Sequence, residues 1–352
     1  MKKFKVEVLY SATDLVNFTQ CEHRVTMDMV NLETPMEKAP DSEELEFIQN
    51  RGYDHEHDYV KRLKSESKSL VEISTEDCGR DIASLNSSAA DTAEAMKKGA
   101  DIIYQAVLRD DCWYGYADFL RRVSKSSILG NYSYEVVDTK LARTAKPVYI
   151  IQLCFYSDLL TRLQGREPEM CSLVLGDKRE EKFRFSDFSK YYASIKRRFK
   201  EKIDRNDRST VPEPCELCDK CIWREICNRQ WEESDHLCRV ANITKLQINK
   251  LRDADVHTLT DLAQLSENTR IPKMNPDIFN KLRHQAALQH KKLKTGENQF
   301  ELLPPDPEGI RGFARLPKPD DSDLFFDMEG DPLEPGGLEY LFGIYFKRGN
   351  TH

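Results

Sequence analysis

Two acidic residues and a lysine stand on neighbouring predicted strands. Asp118 lies in WYGYADFL, and Asp138 and Lys140 lie in YEVVDTKLA. Both segments are rich in aromatic and β-branched residues, and the turn-like run SKSSILGN separates them. Because side chains alternate along a strand, Asp138 and Lys140 project to the same face. Carboxylates hold a hard divalent cation and a lysine stabilises developing negative charge, so these residues predict metal-dependent phosphodiester hydrolysis.

A predicted helix follows the second strand. Its apolar stripe is formed by Val148, Ile151, Phe155 and Leu159. Gln152 and Tyr156 are four residues apart, so their side chains meet on one face of this helix.

The order strand, strand, helix with these residues resembles the PD-(D/E)XK nucleases, and specifically their RecB-like branch. The resemblance implies an α/β restriction-endonuclease-like core. It assigns Asp118 as the second-motif acid, Asp138 and Lys140 as the D-x-K, and Gln152 and Tyr156 as the Q-x-x-x-Y. Mg²⁺ or Mn²⁺ is the implied catalytic cation, bound by Asp118 and Asp138. The alternative is an acid at each strand end and a solvated lysine, the usual meaning of an isolated D-x-K.

A helix is predicted over 41–65. Its apolar stripe contains Gly52, His55 and Tyr59, which places His55 on the packed face and His57 off it. The run Gly-Tyr-Asp-His resembles the G-x-x-H of RecB-like nucleases, which implies that His55 helps to bind the active-site metal. A hydrogen-bonded core histidine is the alternative.

Four cysteines cluster in VPEPCELCDKCIWREICNRQW, at Cys215, Cys218, Cys221 and Cys227. This density predicts metal binding, and zinc is the generic choice. A fifth, Cys21, lies in the middle of a helix predicted over 11–30, with Ser11 and Asp14 forming its capping box.

RecB-like nucleases that contain an iron–sulfur cluster, including CRISPR-associated ones and the AddB type, carry a lone cysteine after such an opening. The resemblance therefore implies a 4Fe–4S cluster held by Cys21, Cys218, Cys221 and Cys227. A second arrangement stays open because of Cys215. In it, Cys215 joins the other three clustered cysteines in a local four-cysteine site, and Cys21 is a buried thiol.

Three further elements are predicted within the first domain. Residues 88–108 form a helix, a hairpin turns at Gly176 and Asp177, and 186–205 form a helix with a basic flank. That flank is a solvated surface or, in the functional alternative, a contact for phosphates.

The composition changes after Trp231. Two pairs of short helices, with turns at Asn242 and at Ala254 and Asp255, resemble a degenerate helix–hairpin–helix module that binds nucleic-acid backbone. A small helical packing module is the alternative. A Pro- and Gly-rich linker follows, and then two strands that we expect to be buried. On the first, Asp327 and Glu329 resemble the D-x-E of RNase H-like, DnaQ-type 3′–5′ exonucleases, which implies the truncated start of such a domain.

The bulk numbers describe a globular protein with 352 residues, 39% hydrophobic residues and a formal charge of −7. No apolar run is long enough to span a membrane, and the N-terminus has no secretion signal, so we expect a cytoplasmic location without a membrane partner. Ten cysteines then indicate thiols or metal ligands.

We predict four segments: a nuclease with iron–sulfur cysteines at 1–232, a helical module at 233–294, a linker at 295–320 and an exonuclease fragment at 321–352. The predicted function is a metal-dependent DNA nuclease acting on single strands or ends in repair or recombination, with a helicase domain or protein as a possible partner. The alternative is a non-catalytic nucleic-acid-binding module stabilised by a metal.

Overall fold

The computed structural model describes residues 1–5, 7–41, 43–66, 69–302, 315–331 and 337–346. The chain divides into two compact units, Met1–Cys227 and Asn228–His352. Helices and a mixed sheet alternate through the first unit, so the chain belongs to the α/β class that the sequence predicts.

Strands and helices have the following bounds within the described residues. The strands are β1 (Lys2–Phe4), β2 (Glu7–Leu9), β3 (Leu70–Glu72), β4 (Ile102–Asp110), β5 (Trp113–Val123), β6 (Ser133–Thr139), β7 (Met170–Val174), β8 (Glu180–Arg184), β9 (Leu324–Asp331) and β10 (Leu338–Phe346). The α-helices are α1 (Ala12–Gln20), α2 (Glu22–Glu33), α3 (Glu43–Ser65), α4 (Ile82–Lys97), α5 (Pro147–Gln164), α6 (Phe185–Asp204), α7 (Arg224–Glu233), α8 (Lys245–Arg252), α9 (Leu259–Gln264) and α10 (Pro276–Thr295).

The central sheet has the order β3-β4-β5-β6-β7-β8. β4, β5 and β6 pair antiparallel, whereas β6 and β7 are parallel because α5 crosses between them. The middle strands are buried on both faces. The main core includes Leu153 and Phe155 of α5, and a second core joins Tyr59 and Leu63 of α3 to Phe119 and Val137 of the sheet. The predicted strands around Asp118 and Asp138 and the helix after them are confirmed.

The single helix predicted over 11–30 is wrong in one respect, because it is interrupted at Cys21 and forms two helices. Cys21 has an extended backbone (φ −156°, ψ 103°), ends α1 and caps the start of α2. Its sulfur accepts a hydrogen bond from the Arg24 N–H at 3.4 Å, so its side chain competes with helix continuation. The capping box of Ser11 and Asp14 is confirmed.

The helix predicted over 88–108 is present up to Lys97 but wrong beyond it, since α4 ends at Lys97 and β4 begins at Ile102. Gly99 has a φ of +75°, a left-handed conformation that stops a helix, and the following IIYQAVL is a buried strand. The helices and the hairpin predicted over 41–65, 170–185 and 186–205 are present as α3, β7 with β8, and α6.

In the second unit, α8, α9 and α10 surround a separate apolar core that includes Leu251, Leu262 and Phe279. Asn242 and Asp255 have positive φ, as the predicted turns require. Part of the predicted linker, 303–314, lies outside the described residues.

β9 and β10 form an antiparallel hairpin, but the expectation that these strands are buried is wrong. Neighbouring side chains on opposite faces, such as Phe325 and Phe326, are both more than half exposed. The reason is that no second layer of described residues covers either face of this two-stranded ribbon.

None of the helices in the described ranges combines the length and apolar character needed to cross a membrane.

Candidate active site

The pairing of β5 with β6 brings Asp118 and Asp138 together. Phe119 is opposite Val137, so the two aspartates flank the same pair of positions. The backbone N–H and the hydroxyl of Thr139 both donate to Oδ2 of Asp118 at 2.9 Å. Thr139, the middle residue of the D-x-K, therefore fixes the orientation of the other acid.

Asp138 is a carboxyl group that is fully removed from solvent. The ammonium of Lys140 forms an ion pair with it, 2.5 Å from its Oδ2, and no backbone N–H or hydroxyl among the described residues donates to either oxygen. Burial and the nearby charge of Asp118 raise the pKa of Asp138 to about 8, against the opposing effect of Lys140. The positive charge of Lys140 therefore does not make up for the burial of Asp138 and its repulsion from Asp118.

Lys140 faces this pair of acids with its side chain one-fifth exposed. Burial lowers the pKa of Lys140, but the charges of Asp138 and Asp118 outweigh it, so the pKa is raised overall. The ammonium also lies 5.7 Å from the ring centre of Tyr149. It is therefore a permanent positive charge at the open side of the acids.

The predicted pair on α5 lies next to Asp138. The Gln152 amide donates to the Tyr156 hydroxyl at 3.2 Å. Burial and then the charge of Asp138 raise the pKa of Tyr156, which keeps the phenol protonated. Tyr156 fits here because Gly115 has no side chain, since a Cβ on Gly115 would lie 2.6 Å from Cε1 of the ring.

Glu56 on α3 is a site residue that the sequence interpretation missed. Burial and then the negative charge of Asp118 raise the pKa of Glu56. The Gln105 amide donates to its Oε1 at 2.5 Å, and Gln105 has a φ of +55° within β4. The available signal was the position of Glu56, three residues before Tyr59 on the packed face of α3.

His55 lies close by but in a different setting. Its Nε2 is 3.2 Å from the carbonyl oxygen of Val174, the residue that pairs with Thr139. It lines a cavity of about 240 Å³ together with Arg62 and Lys178. The structure therefore places His55 one strand away from the D-x-K, and its metal-binding role stays a prediction.

The glycine at Gly176 sets the course of the chain after Lys140. The N–H of Lys140 donates to Val174 O at 2.9 Å, and the N–H of Gly176 donates to Ala142 O at 3.0 Å. A Cβ on Gly176 would lie 2.1 Å from the Leu141 oxygen, so only glycine permits this approach.

The cysteines also converge within the first unit. Cys215 and Cys218 have their sulfurs 3.7 Å apart. Burial raises the pKa of Cys227 to about 12, with further contributions from Cys221, Cys21, Cys218 and Cys215. Burial likewise raises the pKa of Cys21, and Cys215 and Cys221 add to this. The structure thus brings Cys21 to the cluster across most of the sequence, and all ten cysteines are free thiols.

No family model and no curated protein matches this chain.

The fit of a metal rests on the chemistry of the two donor sets. Across the described ranges, no three His, Cys, Asp or Glu side chains stand ready-made in metal-binding geometry. Lys140 nevertheless satisfies the two buried oxygens of Asp138 only in part, and Asp118 lies beside them with Glu56 near it. A hard cation satisfies such oxygens. The cysteines would repel one another as thiolates, and a metal bound between them would remove that repulsion.

Asp327 and Glu329 lie on β9, two residues apart and so on one face. Asp327 pairs with Gly343 across the hairpin, and its Oδ1 accepts a hydrogen bond from the Met328 N–H at 2.9 Å. The structure keeps these carboxylates in a hairpin of their own, and their assignment to a second site stays a prediction.

Proposed function

We propose that this protein is a metal-dependent DNA nuclease of the RecB-like PD-(D/E)XK class, acting on single strands or DNA ends in the cytoplasm. The observation that supports it best is the fully buried carboxyl of Asp138, whose charge the ion pair with Lys140 compensates only in part. A carboxyl in this state is costly for folding alone, so its presence favours a role in binding a cation.

Each side chain has a separate task in this proposal. Asp118 and Asp138, with Glu56 and His55 beside them, would hold Mg²⁺ or Mn²⁺, which when bound supplies a polarised phosphate and an acidified water. Lys140 stabilises negative charge on the phosphate oxygens as the bond to the leaving oxygen breaks. Thr139 orients Asp118 through its two hydrogen bonds. Gln152 and Tyr156 close the site from α5 and exclude water from the inner face of Asp138.

Cleavage of end-labelled single-stranded DNA in Mg²⁺ or Mn²⁺ tests the proposal. Asp118→Asn and Asp138→Asn should abolish cleavage, and Lys140→Met should slow it by about 10²–10³-fold while metal affinity is retained. Asp91→Asn on the exposed surface of α4 is the matched control and should cleave at the unchanged rate.

Two results would contradict the nuclease. The first is unchanged cleavage by the Asp118 and Asp138 variants, which would assign any activity to another site. The second is tight DNA binding without cleavage in either ion, which would favour the non-catalytic binding module.

We further propose that Cys21, Cys218, Cys221 and Cys227 hold a 4Fe–4S cluster. Four thiolates satisfy such a cluster, and the convergence of Cys21 on the other cysteines supports this set. Iron and sulfide analysis of anaerobically purified protein decides between the cluster and zinc.

A further inference from the structure

Two neighbouring cavities lie between α5 and α6, on the opposite side of α5 from Gln152 and Tyr156. Ile150, Cys154, Asp158 and Arg162 follow one another at steps of four residues and line the cavities from α5. Gln152 and Tyr156 are about 80–160° away from these residues around the helix. α5 therefore has one face at the acids and another at these cavities.

The first cavity, of about 410 Å³, is apolar and aromatic. Phe183, Phe188 and Tyr191 line it, and Tyr191 is 65% exposed. It begins at Lys146 and Pro147, where the loop that follows Lys140 enters α5.

The second cavity, of about 590 Å³, is basic. Its acids are Asp158 and Glu167, and its cations are Arg162, Lys190, Lys196, Arg197 and Lys200. Exposed acids outside the cavity lie within 4.0 Å of three of these cations, namely Asp110 at Arg162, Glu201 at Arg197 and Asp204 at Lys200. Asp158 is already satisfied, because Lys196 lies 2.6 Å and the Tyr192 hydroxyl 3.0 Å from its Oδ2. Lys190 has no ion-pair partner among the described residues, so positive charge remains for a ligand.

Tyr192 lines both cavities, so they adjoin at this side chain, and we call the two together the α5–α6 furrow. Its aromatic part offers faces on which bases can stack, and its basic part offers cations for phosphates. Exposed aromatics beside a basic groove are what a single strand requires, whereas a duplex keeps its base faces covered. An apolar peptide would use the aromatic part but leave the ammonium of Lys190 without a partner.

We propose that the α5–α6 furrow binds single-stranded DNA, with bases on Tyr191 and Phe188 and phosphates on Lys190 and Arg197. The strand passes from the furrow over the 141–146 loop to Asp138 and Lys140. This inference rests on the proposed nuclease for the identity of the strand, and it adds where the substrate lies before cleavage.

Fluorescence anisotropy with fluorescein-labelled oligo-dT in EDTA tests binding without cleavage. Tyr191→Ala should weaken binding about 5- to 160-fold, the contribution of one stacked base, and leave the affinity for a DNA duplex unchanged. The double variant Lys190→Glu/Arg197→Glu should weaken binding of both DNAs. It should also reduce the slope of log Kd against log salt for the single strand by about 0.7 for each phosphate that the protein no longer neutralises.

Lys97→Glu on α4 is the matched control for charge, because Lys97 is equally exposed and lies outside the furrow. It should bind oligo-dT as the unchanged protein does. All of the substituted side chains are exposed, so the variants should keep their melting temperature.

The outcomes separate the furrow from the nuclease. Unchanged affinity of both furrow variants for oligo-dT would contradict binding of single-stranded DNA in the furrow, even when cleavage occurs. Equal weakening of single-strand and duplex binding by Tyr191→Ala overturns the stacking role. Specific loss of oligo-dT binding in a protein that cleaves no DNA supports the furrow and overturns the nuclease.

Discussion

The carboxyl of Asp138 stores an electrostatic cost in the folded protein. It is fully removed from water, and Lys140 offsets this only in part, since the pKa of Asp138 is still raised to about 8. Asp118 adds to the cost because its own charge is held nearby by Thr139. A bound cation relieves both carboxylates, so ion binding and stability are coupled at this one residue.

This coupling predicts the pH dependence of stability in EDTA. In the unfolded chain Asp138 ionises near 3.8, but in the folded protein its pKa is about 8. Between these values the folded state holds one more proton, so the free energy of unfolding falls as pH rises, by about 1.4 kcal/mol per pH unit from this group. Urea unfolding of the unchanged protein and of Asp138→Asn between about pH 5 and 7 measures the difference in slope. Parallel slopes would show that Asp138 ionises normally.

At the residue scale, the spacing of residues in the sequence predicts two kinds of contact: those between neighbouring strands and those between residues one helix turn apart. Asp118 and Asp138 are brought together by strand pairing, and Gln152 and Tyr156 meet as their spacing requires. Glu56 was not predictable in the same way, because its approach to Asp118 depends on how α3 packs against the sheet.

At the scale of elements, the contact of α5 with β5 depends on a glycine. Gly115→Ala would force the Tyr156 ring away from the strand, and overpacking of this kind costs about 1–3 kcal/mol. We expect a lower free energy of unfolding in urea together with slower cleavage, since Tyr156 covers Asp138.

Gly52→Ala on α3 is the control for this prediction, because nothing lies within 4 Å of the added Cβ. In a helix interior it should stabilise the protein by about 0.5–1 kcal/mol. Equal effects of the two substitutions would mean that Gly115 has no special steric role.

Element boundaries were predictable where the local pattern alone sets them. The hairpin at Gly176 and the cap at Ser11 are set by local chemistry. The break at Cys21 was not, since VNFTQCEHRV keeps a helical pattern through a residue whose sulfur takes up the Arg24 N–H. The exposure of β9 and β10 was also not predictable from their apolar sequence, because burial depends on whether another layer covers the strands.

The hairpin of β9 and β10 gives a prediction about the second acidic pair. Two-metal hydrolysis requires more carboxylates than Asp327 and Glu329, which are the acids of the motif on this hairpin. Asp327→Ala should therefore cleave labelled DNA at the unchanged rate. A clear loss of cleavage would show that this pair acts in catalysis or supports the first site.

At the scale of the molecule, the first unit is closed by contacts between its two ends. Trp223 donates to Asp28 at 2.8 Å, and His23 lies 3.1 Å from the hydroxyl of Thr210. The Ala39 N–H donates to the Ile222 oxygen at 2.8 Å. The cysteines lie in the same region, so a bound metal would reinforce a closure that the protein chain already makes.

Cys21 and Cys218 are 197 positions apart, from 21 to 218, and closing such a loop costs the unfolded chain about 5 kcal/mol of entropy. Cys21→Ala should therefore lose the visible absorbance of the cluster and lower the melting temperature. Cys215→Ala, the control within the cluster, should do neither. Bleaching by Cys215→Ala but not by Cys21→Ala would assign the cluster to a local four-cysteine site without Cys21.

The contacts between the two ends also determine when this unit can form during its own synthesis. The helices around Cys21 leave the ribosome long before Thr210 and Trp223, which contact them, have been translated. At about 5–20 residues per second, the wait is roughly 10–40 s. During that time the apolar sides of α1 and α2 have no final partner, which makes them the natural targets of a chaperone on the nascent chain.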